Sequence, residues 1–175
     1  MEFRFIDPAT DFCNGLQVIQ VYHDDLLKRG QALLALADEV RRQGMNEDRA
    51  NQCIDHHCYY TRASLLHHQD EETGLFPLVV DQSALIDGML ERLAKDHQEI
   101  EEAWEALASW LSQPEKINNY NKFAIAAQSF EKLLREHLIR ENEDFLPKLE
   151  TLLTQEQCVQ AGETMRRLRF GSIQS

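Results

Sequence analysis

Two stretches of the chain, seventy residues apart, repeat one pattern, and this repeat constrains the fold more than any other feature. The first reads His67-His68-Gln69-Asp70-Glu71-Glu72-Thr73-Gly74-Leu75-Phe76-Pro77, and the second His137-Leu138-Ile139-Arg140-Glu141-Asn142-Glu143-Asp144-Phe145-Leu146-Pro147. Each places Glu four residues after His, then a pair of Leu and Phe, then Pro at offset ten. On a helix, residues four apart face the same way, about 6 Å from each other. Each copy therefore offers one imidazole and one carboxylate to the same point. A single HxxxE is weak evidence; two copies with matching terminators are much stronger. His23 precedes His67 by 44 residues and His97 precedes His137 by 40, so the order His, then HxxxE, runs twice. An internal repeat implies two structurally similar halves. Four imidazoles and two carboxylates on facing helices suit a dinuclear metal site in a bundle core.

The intervening segments read as helices. Seven glycines and four prolines in 175 residues, with few β-branched runs, leave little material for strands. Apolar spacings of three and four predict a first helix from about Leu16 to Arg42, with His23 on its core stripe. Asn46 with Glu47 and Asp48 predicts the start of a second helix, running to about Thr73 with Gly74 as its stop. A third, Gln82 to Ser112, places His97 alone among apolar residues. Pro114 suits the first turn of a fourth helix, which Pro147 should distort or end. Thr154 with Gln157 is the pattern of a capping box, giving a short fifth helix over about 155–168, and the tail from Gly171 should be loose. Short connections between long helices favour antiparallel neighbours, hence an all-α, up-down-up-down four-helix bundle. Residues 1–175 are expected to form one domain with its bundle core at about 16–149.

The remaining polar residues divide by register. His68 and Glu72 form a second HxxxE, but only His67 has Pro at offset ten, as His137 does. His68 then lies about 100° around the helix, on a flank. His57 reads as a surface residue. His56 lies about 16 Å along the axis from His67, too far to reach the same ion. Tyr60, two turns before His67 on the inner stripe, either hydrogen-bonds a metal-bound ligand or fills the core. Glu71 and Glu141 face inward, and burying unpaired carboxylates is costly. A cation is the simplest compensation. Imidazole and carboxylate donors without thiolate disfavour structural zinc and favour iron, then manganese. Two ions about 3.5–4 Å apart, bridged by Glu71 and Glu141, could bind or activate a small oxygen-containing ligand.

A net charge of −12 argues against nucleic acid or an anionic membrane as partner. No apolar run approaches the roughly 20 residues that span a bilayer. Four cysteines form no CxxC, and the polar start MEFRFIDPAT has no signal-peptide core, so free thiols and a cytoplasmic location are expected.

At these residues the chain resembles the hemerythrin family, over about Leu16 to Leu149. The resemblance implies a non-haem di-iron centre between four helices, with His23, His67, Glu71, His97, His137 and Glu141 at ligand positions. The family's oxygen carriers have HxxxH on the third helix, where this chain has His97 and Glu101, and HxxxxD on the fourth, where it has His137 and Glu141. Two six-coordinate irons offer about twelve positions; two bridging carboxylates, an oxo or hydroxo bridge and four imidazoles fill about ten. Two positions stay open, where a fifth His would leave one. Glu101, one turn beyond His97, is a possible additional ligand or an ordinary solvated carboxylate. The four-His, two-Glu set is similar to hemerythrin-like domains implicated in iron–sulfur repair, nitric oxide handling and oxygen or iron sensing. The resemblance thus implies a protein that binds oxygen or nitric oxide for sensing, storage or detoxification. The alternative is a di-iron redox enzyme or iron–sulfur repair factor, and a third reading is an interaction scaffold whose metal only holds the helices together. The sequence does not decide whether the chain is an enzyme or name a protein partner.

Overall fold

Helix α1 spans Gly15–Gln43, capped by Asn14, whose side chain accepts from the Leu16 N–H. α2 spans Glu47–Gln69, and Asn46 caps it by accepting from the Arg49 N–H above the acidic first turn of Glu47 and Asp48. Described here, in a computed structural model, are residues 3–171; no strand occurs among them, and residues 172–175 of the tail lie outside the description.

The chain does not stop at Gly74. It widens into a π-helical turn, Asp70–Leu75, and continues as the short helix α3, Phe76–Val79. The same event follows α5: a π-helical turn at Glu141–Phe145 leads into α6, Leu146–Leu152. The repeated proline explains both. Pro77 and Pro147 stand at the start of α3 and α6, where a proline ring would strike the carbonyl four residues back and cannot donate to it. An extra residue in the preceding turn relieves that clash, and the Phe76 and Leu146 N–H groups bond the carbonyls of Glu71 and Glu141, five residues back. Pro147 therefore distorts its helix rather than ending it.

α4 spans Ala84–Ser112 and is capped by Ser83. Pro114 does not open the next bundle helix. It starts a single 3₁₀ turn, Pro114–Lys116, broken by extended Ile117, and α5, Tyr120–Arg140, begins at the Asn119 cap. The fixed φ of proline serves either kind of first turn, so Pro114 alone could not distinguish them. α7, Gln155–Phe170, has the capping box of Thr154 and Gln157, and Gly171 ends it at φ 73°.

The bundle closes as a ring in which α1 packs on α2, α2 on α4, α4 on α5 and α5 on α1, giving the up-down-up-down arrangement. α7 lies outside this ring, against α1 and the first π turn. Its approach requires glycine: a Cβ on Gly162 would fall 2.1 Å from the Phe12 carbonyl oxygen, and one on Gly15 2.5 Å from Ala161 Cβ. Gly74, expected as a stop, instead lies under Met165 of α7. No helix among the described residues is long and apolar enough to cross a membrane. Cys13, Cys53, Cys58 and Cys158 are free thiols.

Candidate metal centre

Each bundle helix delivers one imidazole to a single buried point: His23 from α1, His67 from the last turn of α2, His97 from α4 and His137 from the last turn of α5. The two π turns deliver Glu71 and Glu141. All six residues are at most 2% exposed. His23 Nε2 lies 3.1 Å from Glu141 and 3.8 Å from Glu71. His97 Nε2 lies 3.1 Å from Glu71, and His137 Nε2 3.2 Å from Glu141. His67 Nε2 stands between the carboxylates, 3.9 Å from Glu71 and 3.7 Å from Glu141.

The donors fall into two overlapping groups. His23 and His67 share Glu71 and Glu141, and His97 and His137 share the same two carboxylates, with the donor atoms of each group within 4.8 Å of one another. Nε2 of all four histidines and both oxygens of both carboxylates are buried without a hydrogen-bond partner. Buried polar atoms normally find partners, and this many orphans pointing at one place fit a cation.

The outer nitrogens are held in a repeated way. His97 Nδ1 meets Glu72 at 2.7 Å, and His23 Nδ1 meets Asn142 at 2.7 Å. Glu72 and Asn142 each follow the glutamate of a repeat, so each repeat orients a histidine from the opposite half. His137 Nδ1 lies 3.6 Å from Asp96, whose carboxylate accepts from Arg140. Such outer partners fix the tautomer and the ring orientation of a metal-binding histidine. Sequence reasoning missed Glu72, Asn142 and Asp96; offset five of the repeat was the signal for the first two.

Without a cation the donors lean on protons. Burial alone would depress His23 and His97, but for His23 the carboxylates of Glu141 and Glu71 close to its Nε2 outweigh burial, pushing it up to about 10. Glu71 and Glu72 do the same for His97, up to about 9. Burial holds His67 well below its usual range. Burial and the neighbouring Glu71 charge raise Glu141, whereas His67, His23 and His97 hold Glu71 low against the effect of its own burial. Two carboxylates in one dry space cannot both stay charged cheaply. A divalent ion removes that conflict.

His68 lies on the flank that helical geometry assigned to it, but that flank is buried. It is 3% exposed, stacked on His97 with ring centroids 3.9 Å apart, because α4 packs over that flank. Glu101 reaches none of the donor groups; its side chain is 58% exposed and lies 3.4 Å from His68 Nδ1. Tyr60 is buried among Phe130, Trp104 and His56, filling the core with its hydroxyl unpartnered. His56 is buried beside Tyr60, and half-buried His57 stacks on Trp104.

The first π turn is also tied to α7. Arg169 donates to both oxygens of fully buried Asp70 at 2.7 and 2.6 Å and to Asp7 at 2.7 Å. Tyr22 donates to Asp7 at 2.8 Å, and its ring stacks on His67.

Comparison with known proteins gives a family match and a relative of partial coverage. The sequence profile of a family described as hemerythrin, the hemerythrin HHE cation binding domain, matches residues 14–149. An uncharacterized protein of Haemophilus influenzae is 26% identical over 98 residues, covering 56% of this chain and 57% of that protein's length.

Proposed function

The chain belongs to the hemerythrin family of cation-binding domains, and on that premise we propose that it is a non-haem di-iron protein that binds oxygen or nitric oxide, for sensing, storage or detoxification. The observation that carries the reading is the pair of donor groups sharing both carboxylates. His23 and His67 would hold one ion and His97 and His137 the other, with Glu71 and Glu141 common to both donor groups. Nitrogen and oxygen donors without thiolate suit iron, with manganese the nearest substitute. Bound iron would supply redox chemistry and affinity for a diatomic ligand.

The protein's part is to orient, to neutralise and to exclude water. Glu72 and Asn142 lock the rings of His97 and His23 with Nε2 inward. The two glutamates bring two negative charges that offset half of the charge of a divalent pair. Phe76, stacked on His97 at 6.2 Å, and Phe145, edge-on to Phe76 at 5.8 Å, close the π-turn end with apolar surface. A dry site with an apolar rim favours a small neutral ligand over bulk solvent.

The test is elemental analysis of tag-free protein from iron-replete cells, with absorption spectra recorded anaerobically and then after oxygen or nitric oxide. About two irons per chain and a spectral change with one of the gases are expected. Iron near zero, unrestored by anaerobic ferrous iron, overturns the assignment.

A further inference from the structure

A fifth histidine shares the features that mark the other four. His68 lies one residue past the repeat position, its Nε2 is buried and has no hydrogen-bond partner, and one of its nitrogens lies within 4.8 Å of nitrogens of His97 and His137. Since Nδ1 faces Glu101 at 3.4 Å, the inward nitrogen is Nε2. The division of labour matches that of His97, with Nδ1 on Glu72, and of His23, with Nδ1 on Asn142. An outer carboxylate on an imidazole whose inner nitrogen has no partner is the arrangement that accompanies metal ligation. The second repeat has Leu138 at the corresponding position, so the extra imidazole belongs to one half only.

We propose that His68 is a fifth imidazole donor to the centre, serving the ion at the His97–His137 end, with Glu101 as its outer partner. This rests on the two-ion reading above. Parallel stacked rings, here 12° apart, cannot both aim at one ion, so His68 engages by tilting off His97. The exposed side chain of Glu101 is free to follow. Engagement makes the two ends unequal: three imidazoles hold one ion and His23 with His67 hold the other, both sharing the carboxylates.

The experiment titrates metal-free, full-length protein with ferrous iron under anaerobic conditions, counting ions per chain by elemental analysis and measuring each affinity by chelator competition. Wild type should hold two ions. His68→Ala should hold the first as wild type does and the second at least ~10-fold more weakly, and added free imidazole should restore the second ion in this variant while leaving wild type unchanged. Glu101→Ala, at an exposed position that does not threaten the fold, should weaken the same ion by a smaller factor. Two ions at wild-type affinity in His68→Ala overturn the fifth imidazole and leave the two-ion reading standing. A wild type that never takes a second ion overturns both. If His68→Ala loses its helical circular dichroism, Glu101→Ala decides, and wild-type affinity there overturns the proposal.

Discussion

The two halves of the site share a backbone and differ in what surrounds it. In both, a histidine in the last turn of a helix, a π turn carrying glutamate, and a proline ten residues on build the same donor pair. The residue before each glutamate then has opposite charge: Asp70 in the first half and Arg140 in the second. Asp70 recruits Arg169 from α7, so a fifth helix pins the first π turn. Arg140 reaches Asp96 on α4, within the bundle. The second π turn instead borders a cavity of about 290 Å³ lined by Leu85, Met89, Leu93, Arg140 and Phe145. The six donors that the repeat supplies are close to symmetric, so functional inequality between the two ends must come from what lies around them, His68 included.

The largest effect should fall on both halves alike. His67→Ala and His137→Ala should each reduce iron from about two per chain to one or fewer, read by elemental analysis after dialysis. Full iron in either variant would show that its half does not belong to the centre and would break the symmetry at its base.

The next effect should separate the halves. Arg169→Ala leaves Asp70, fully buried, without its partner, and uncompensated buried charges cost about 3–5 kcal/mol. Arg140→Ala leaves Asp96 still paired with Arg92 at 3.0 Å, and Arg140 is itself 35% exposed, so about 1 kcal/mol or less is expected. Urea unfolding of the metal-free proteins measures both. Equal losses would mean that α7 does not brace the first half.

These differences also mark where the sequence stopped being legible. The four helices and the doubled motif could be read because apolar spacing and the His–Glu offset are local and periodic. The π turns could not, since an inserted residue leaves the offset of four before it intact and shows only in the hydrogen bonds after it. Gly74 looked like a stop because its real role, making room for Met165, depends on a helix ninety residues away. The burial of His68 was hidden for a related reason: azimuth on one helix says which way a side chain points and nothing about which neighbour covers that face. Asn119, the true cap of α5, was hidden by a proline five residues earlier that offered an equally good start.

A smaller, paired effect tests the outer partners. Glu72→Ala and Asn142→Ala each free the outer nitrogen of one inward histidine, and loss of such a partner typically weakens metal binding 10–100-fold, about 1.4–2.7 kcal/mol. Chelator competition should show the larger loss in Glu72→Ala, because a carboxylate raises imidazole basicity more than an amide does. A larger loss in Asn142→Ala would reverse the ranking of the two ends.

The smallest effect is confined to the first half, where His56 stands and the second half has Ala126. Burial, reinforced by the charge of Arg29, depresses His56 to about 4. The folded protein therefore keeps this imidazole neutral well below the pH of about 6.5 at which the unfolded chain takes up a proton. The sign follows directly: the stability present above pH 6.5 is lost as pH falls towards 4, at about 1.4 kcal/mol per pH unit for this one group. His67 and His68, also depressed by burial, add to the slope in the metal-free protein. His56→Phe keeps an aromatic ring against Tyr60 and removes one titrating group, so the pH dependence of the unfolding free energy between pH 4 and 6.5 should fall by about one proton while stability at pH 7.5 changes by less than about 1.5 kcal/mol. An unchanged slope would show that His56 is protonated equally in the folded and unfolded chains, and that the first half draws its acid sensitivity from the metal-binding histidines alone.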